Sequence, residues 1–267
     1  MRVIKAHAYG NDFLLAPVDD LTDTAVSAAD ARRLCARHTG IGADGLMLVV
    51  PTPRGAQTRL LNADGSPSEI SGNGLRCVVA WLAADRDLSP GTEVVIETGA
   101  GERPVHILAR TGPRIECRAA MGRARDVQEE VIHVAGEPIR CVTLNIGNPQ
   151  CVVLSDASGL THERLHTVAA GLATHPRFAE GTNVELATVE APGRVRILIW
   201  ERGVGPTEAS GTGACATAIA AITHGGATSP VEVVAPGGTQ RVEVLDGEVW
   251  LTGWAEVIAD IEWRGTR

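Results

Sequence analysis

The chain has 267 residues, 44% of them hydrophobic, and a formal net charge of −8; it can bury one large core or two modest ones, and its acidic balance without a Lys/Arg run of five or more argues against a nucleic-acid or anionic-membrane partner. Lys5 is the only lysine among 24 basic residues, and it sits in an apparent first strand, which argues against a pyridoxal Schiff base. The start of the chain reaches polar residues too early for a signal peptide, and the longest apolar run, residues 77–84, is too short to cross a bilayer, so the expectation is a soluble cytoplasmic protein with a small-molecule partner.

Residues 3–7 and 12–18 read as strands joined by the turn-prone Tyr9-Gly10-Asn11. Ser27 caps an expected helix through Arg37 that stops at Gly40. Residues 45–50 and 57–62 read as a hairpin, and residues 73–85 as a helix apolar enough to be buried on nearly all sides. Pro104 and Gly112-Pro113 are the best linker candidates. The second half repeats this grammar, with strands expected near residues 142–144, 152–154, 183–189 and 194–200, a very apolar helix over 213–223, and a strand-like tail from Val231 that turns at Pro236-Gly237-Gly238. Many short strands around one buried helix per half imply an α+β fold. The six cysteines (35, 77, 117, 141, 151 and 215) form no CxxC pair and read as buried thiols in a reducing compartment.

One phrase occurs twice: Glu69-Ile70-Ser71-Gly72-Asn73-Gly74, and Glu208-Ala209-Ser210-Gly211-Thr212-Gly213. Ser210 lies 139 residues after Ser71, about half the chain, so two similar halves with a site in the cleft between them are expected. A Gly-x-Gly turn entering a helix leaves backbone N–H groups free at the positive end of the helix dipole, where they can hold a carboxylate or phosphate. Each serine also fits a plain helix-capping role.

The chain resembles the diaminopimelate epimerase family through segments in family order: residues 5–13, 40–45 and 62–66, Gly72-Asn73-Gly74-Leu75-Arg76-Cys77, Gly147-Asn148-Pro149, Gly181-Thr182-Asn183-Val184-Glu185, Glu201-Arg202-Gly203-Val204-Gly205, Gly211-Thr212-Gly213-Ala214-Cys215 and Pro236-Gly237-Gly238. The resemblance implies two pseudo-symmetric halves, each a curved, mainly antiparallel sheet around a central helix. Residues 1–113 with about 253–267 would form one half, and 114–252 the other. It further implies a homodimer and a cofactor-free, metal-free epimerisation of an amino acid, with LL-diaminopimelate converted to the meso form for lysine and peptidoglycan synthesis. Gly72, Asn73, Gly74, Gly211 and Thr212 would bind the reacting carboxylate; Asn11, Asn62, Asn148, Asn183, Glu201 and Arg202 would hold the rest of the substrate. Asparagine amides both donate and accept around a zwitterion without adding charge.

The family's two catalytic cysteines fall on Ser71 and Ser210, and its Asn-Pro-His is Asn148-Pro149-Gln150. Engineering of the two cysteines alone would leave the remaining pattern intact; Gln150, Pro206 and Trp254 also depart from it, which favours a native variant. A helix end can turn a thiol into a thiolate but cannot ionise a serine, so a helper base is needed; Glu69 and Glu208 are nearest in sequence, but each reads better as a solvent-facing or capping carboxylate, and His7 is the other candidate. Alternatives that keep the fold are a dehydratase or isomerase of a hydroxy amino acid and a catalytically dead binding relative. His162-Glu163-Arg164-Leu165-His166 matches H-E-x-x-H, the pattern of zinc peptidases, but no third ligand is evident and the match reads as chance.

Overall fold

The computed structural model describes residues 1–21 and 26–264. The chain divides into two compact units, Met1–Ala119 with Gly253–Arg267, and Ala120–Thr252. The first unit contains β1 (Arg2–Ala8), β2 (Asn11–Pro17), α1 (Ala28–Cys35), β3 (Gly45–Thr52), β4 (Gly55–Asn62), β5 (Pro67–Ser68), α2 (Gly72–Asp85), β6 (Glu93–Thr98) and β7 (Gly101–Thr111). The unit boundaries fall inside β8 (Arg114–Arg123) and β17 (Glu248–Glu262).

Within this unit β1 pairs antiparallel with β2 and β17, β2 runs parallel to β3, β3 pairs antiparallel with β4, β4 runs parallel to β6, and β6, β7 and β8 follow antiparallel. Pairing of β17 with β8 closes the ring. Each parallel step needs a crossover, supplied by α1 and by α2. Twelve consecutive residues of α2, Gly72 to Ala83, are buried, as its all-round apolar sequence requires. By contrast α1 is amphipathic: Ala31, Leu34 and Cys35 pack with Val3, Leu14, Leu46 and Leu48.

The second unit repeats the order with β9 (Arg125–Val134), β10 (Glu137–Asn145), β11 (Pro149–Leu154), β12 (Asn183–Ala191), β13 (Arg194–Glu201), β14 (Gly205–Thr207), α5 (Gly211–His224), β15 (Val231–Ala235) and β16 (Gly238–Leu245). Here too the pairing is antiparallel except for β11–β12 and β13–β15. The first crossover contains α3 (His162–Arg164), a π-helical turn at Leu165–Ala169 and α4 (Ala170–Ala173), whose Leu165, Val168 and Leu172 pack on Cys141, Cys151 and Val184. The second crossover is α5, buried from Gly211 to Ala221.

The expected α+β class with a mainly antiparallel sheet around one helix per half is what the chain forms. Two local expectations change. Pro104 lies inside β7 and Gly112-Pro113 forms the turn between β7 and β8, with Thr111 paired to Arg114; neither is a linker. The first helix ends at Cys35 rather than Arg37, because the backbone leaves the helical region at Ala36, with ψ of 120°; the Arg37 side chain then reaches Asp12 and Asp44. The H-E-x-x-H stretch is split by the π-helical turn; His166 packs edge-on against Trp200, and no cluster of three metal-ligating side chains occurs among the described residues.

Candidate active site

Ser71 and Ser210 have extended backbone conformations and stand as N-caps of α2 and α5. Ser71 Oγ accepts from Gly74 N at 3.0 Å and Ser210 Oγ from Gly213 N at 3.1 Å, so the capping role is real in both units. Glycine at the third helical position lets other side chains approach the turn, and bulk there would close that approach. The first turn of each helix presents the positive end of the helix dipole beside its cap.

In the first unit the turn is flanked by an amide chain. Arg76, fully buried, donates to Asn73 Oδ1; Asn73 Nδ2 donates to Asn11 Oδ1 at 3.0 Å, and Asn11 Nδ2 donates to Asp44 Oδ2 at 2.8 Å. These contacts fix which end of each amide faces which neighbour. Asp44 stands beside Asp12, which Arg37 contacts at 3.0 Å and Lys5 at 2.9 Å. Burial pushes the Asp12 carboxyl up, but the hydrogen bonds from Arg37 and Lys5 outweigh it and hold the group below the usual carboxylate range. Burial and the Asp12 charge push Asp44 the other way. Asn62 lies apart from this chain, its Nδ2 donating to Ser66 Oγ at 2.9 Å across the β4–β5 turn.

In the second unit Gln150 Nε2 donates to Asn148 Oδ1 at 2.6 Å, and Asn148 Nδ2 reaches Thr212 Oγ1 at 3.5 Å. The strand register sets Gln150 beside Asn183, whose Oδ1 accepts from Arg202 N at 2.9 Å. The Arg202 guanidinium donates to Glu180 O at 3.1 Å. Gln240, also buried, donates to Ser210 O at 3.2 Å and fixes the backbone at the cap. The structure therefore joins Asn11 to Asn73, Asn148 to Thr212, and Asn183 to Arg202.

Of the two carboxylates nearest the serines in sequence, Glu208 is exposed and Glu69 half-buried. A third, Glu185 on β12, is fully buried and lies against Gly213. Sequence reasoning placed Glu185 only within a motif. Its signal was an ionisable residue in the apolar run Val184 to Ala187, two residues from Asn183 and thus on the same face of the strand. Arg76 and Gln240 were missed in the same way.

The diaminopimelate epimerase family profile matches residues 3–127 and 142–258. The chain belongs to the diaminopimelate epimerase family. The diaminopimelate epimerase of Desulforudis audaxviator (strain MP104C) is 38% identical, over 98% of this chain and 99% of the relative. That of Desulfitobacterium hafniense (strain DSM 10664 / DCB-2) is 34% identical, over 97% and 96%. The fold matches the crystal structure of a probable proline racemase from Agrobacterium radiobacter K84, with a TM-score of 0.76 at 17% identity over 98% of this chain and 92% of that one. Membership makes the chain one of a family of isomerases, and amino-acid epimerisation is the activity these relatives support. No helix among the described residues is long and apolar enough to cross a membrane.

Proposed function

We propose that the chain is a cofactor-independent amino-acid epimerase acting on diaminopimelate, LL to meso, with Ser71 and Ser210 at its two proton-moving positions. The observation that carries this reading is that each unit builds the same device from the same phrase: a serine-capped, glycine-rich, buried helix start flanked by hydrogen-bonded amides. In this reading the α-carboxylate is held at the first turns of the two helices, at the positive ends of their dipoles, beside Asn73 and Thr212. Asn11, Asn62, Asn148, Asn183, Glu201 and Arg202 hold the ammonium groups and the distal end.

Binding the carboxylate at positive helix ends also favours the carbanion, whose charge spreads onto that carboxylate once the α-proton leaves. At one serine the hydroxyl takes the α-proton as its own proton passes to a helper base, and the other serine delivers a proton to the opposite face. A second copy of the chain is the proposed macromolecular partner, a point for light scattering in solution.

Cα deuterium exchange and stereoinversion of diaminopimelate by the parent, Ser71→Cys, Ser210→Cys and the double variant test the reading. The double variant is expected to create or raise inversion, because each thiol gains thiolate character at its helix N-terminus. Each single variant is expected to gain little, since the two positions act as a unit. If the folded double variant neither exchanges nor inverts while the parent removes water from a hydroxy amino acid, the epimerase reading falls.

A further inference from the structure

The two glycine-rich turns match, yet what lies beneath them differs. A Cβ built on Gly74 would meet Met47 Sδ at 2.7 Å and Ser71 Cβ at 3.3 Å. One built on Gly213 would collide with Glu185 Oε1 and lie 3.0 Å from Ser210 Cβ. Met47 and Glu185 hold equivalent places, each third in a strand entered from a parallel crossover: β3 begins Gly45-Leu46-Met47 and β12 begins Asn183-Val184-Glu185. A thioether under one serine cap is replaced by a carboxyl under the other.

Glu185 is fully buried, and neither side-chain oxygen has a hydrogen-bond partner. Leaving such a group unpaired costs free energy that a purely apolar residue, like Met47, avoids. The charged and titratable groups facing it are Glu201 from β13 and Cys151 from β11, while α5 contributes Gly213 and the positive end of its dipole. Burial, and then the charge of Glu201, push its carboxyl well above the usual range. Both effects favour its protonated form, which has one proton to give and a second oxygen to receive.

We propose that Glu185 is a positioning residue that holds the proton exchanged by Ser210, so that the two serines do unequal work. The substrate in this inference rests on the epimerase reading. In the delivering direction the Glu185 O–H bond breaks and its proton passes to Ser210 Oγ. The original Ser210 proton leaves to form the C–H bond with the electron pair of the carbanion, and Glu185 is left as the carboxylate. In the removing direction Ser210 Oγ takes the α-proton as its own proton returns to that carboxylate, and the C–H electron pair stays on the substrate. Glu185 and Ser210 flank the same glycine, Gly213; no hydrogen bond joins them at rest, so the transfer requires the carboxyl and the hydroxyl to turn toward each other.

The test needs no substrate. Ser210→Cys places a titratable thiol at the cap, and its alkylation rate by iodoacetamide is followed against pH, alone and with Glu185→Gln. The six native cysteines are buried and do not compete. Two coupled groups titrate in two macroscopic steps. Ser210→Cys is therefore expected to give a two-step profile that becomes one step with Glu185→Gln, the midpoint falling by about one unit as the neighbouring carboxylate is removed. Ser71→Cys, over Met47, is expected to give one step that Glu185→Gln leaves unchanged.

A single-step curve for Ser210→Cys overturns the proposal, and this holds even if Glu185→Gln fails to fold, because Glu185 is then untouched. Superposable curves with and without Glu185→Gln, or an equal shift at Ser71→Cys, also overturn it. With no amino acid present, these outcomes bear on Glu185 alone, whereas failed exchange by the double cysteine variant bears on the epimerase reading.

Discussion

Serine at the head of each glycine-rich turn meets two demands with one atom. Its Oγ accepts the third N–H of the helix, which a thiol does less well, so each Ser→Cys change is expected to cost about 1 kcal/mol of stability, as loss of a cap does. The same hydroxyl lacks a charge of its own, which makes neighbouring groups decisive. Arg202 is one: its N–H and guanidinium donate to Asn183 Oδ1 and Glu180 O. Arg202→Ala is expected to weaken diaminopimelate binding by about 2 kcal/mol, the scale of a hydrogen bond to a charged group. Calorimetry giving unchanged affinity would remove Arg202 from the site. The repeated phrase made the serines legible in the sequence, because a motif is a local pattern. Glu185 was not legible as a neighbour of the Ser210 cap, because a crossover and a strand register bring these residues of distant sequence to one glycine, Gly213.

At the scale of elements, the buried helices were readable because an all-apolar run of this length has few other ways to be satisfied, and α2 and α5 lie within two residues of where the sequence put them. The paired strands β7, β8 and β9 were not, since long, half-exposed strands such as β9 carry charged residues on much of their length and resemble loops in composition. After α1 the chain turns through Gly40, where a Cβ would collide with Arg33 O and approach Leu34 O at 2.7 Å and Ala36 O at 2.9 Å. All three atoms are backbone, so relief requires the turn itself to move. Gly40→Ala is expected to destabilise the protein by about 2 kcal/mol, within the range for overpacked sites, as a lower urea midpoint with an unchanged slope.

For the whole molecule, buried carboxyls set opposite responses to pH. Asp12, held low by Arg37 and Lys5 against its burial, contributes stability above its ordinary value of 3.8 that is lost as pH falls through the lowered value. Glu185 is raised instead: between 4.5 and its folded-state value the folded protein binds a proton that the unfolded chain has released, so its contribution declines as pH rises. Glu185→Gln removes that decline. Its urea midpoint is expected to gain on the parent's between pH 5 and pH 8, and parallel pH curves would contradict a raised Glu185.

The order of the units along the chain has a consequence for synthesis. Residues Ala120–Thr252 are continuous, whereas the first unit is completed only from Gly253 onward, by the part of β17 that pairs with β1. At translation rates of roughly 5–20 residues per second, the nascent β1 waits tens of seconds, roughly 13–50, for that neighbour about 250 residues on. Its buried residues Val3, Ile4 and Ala6 belong to a sheet whose edge stays open on the ribosome throughout that interval. The continuous unit is free to fold first, and the half that is begun earliest is the half that is finished last.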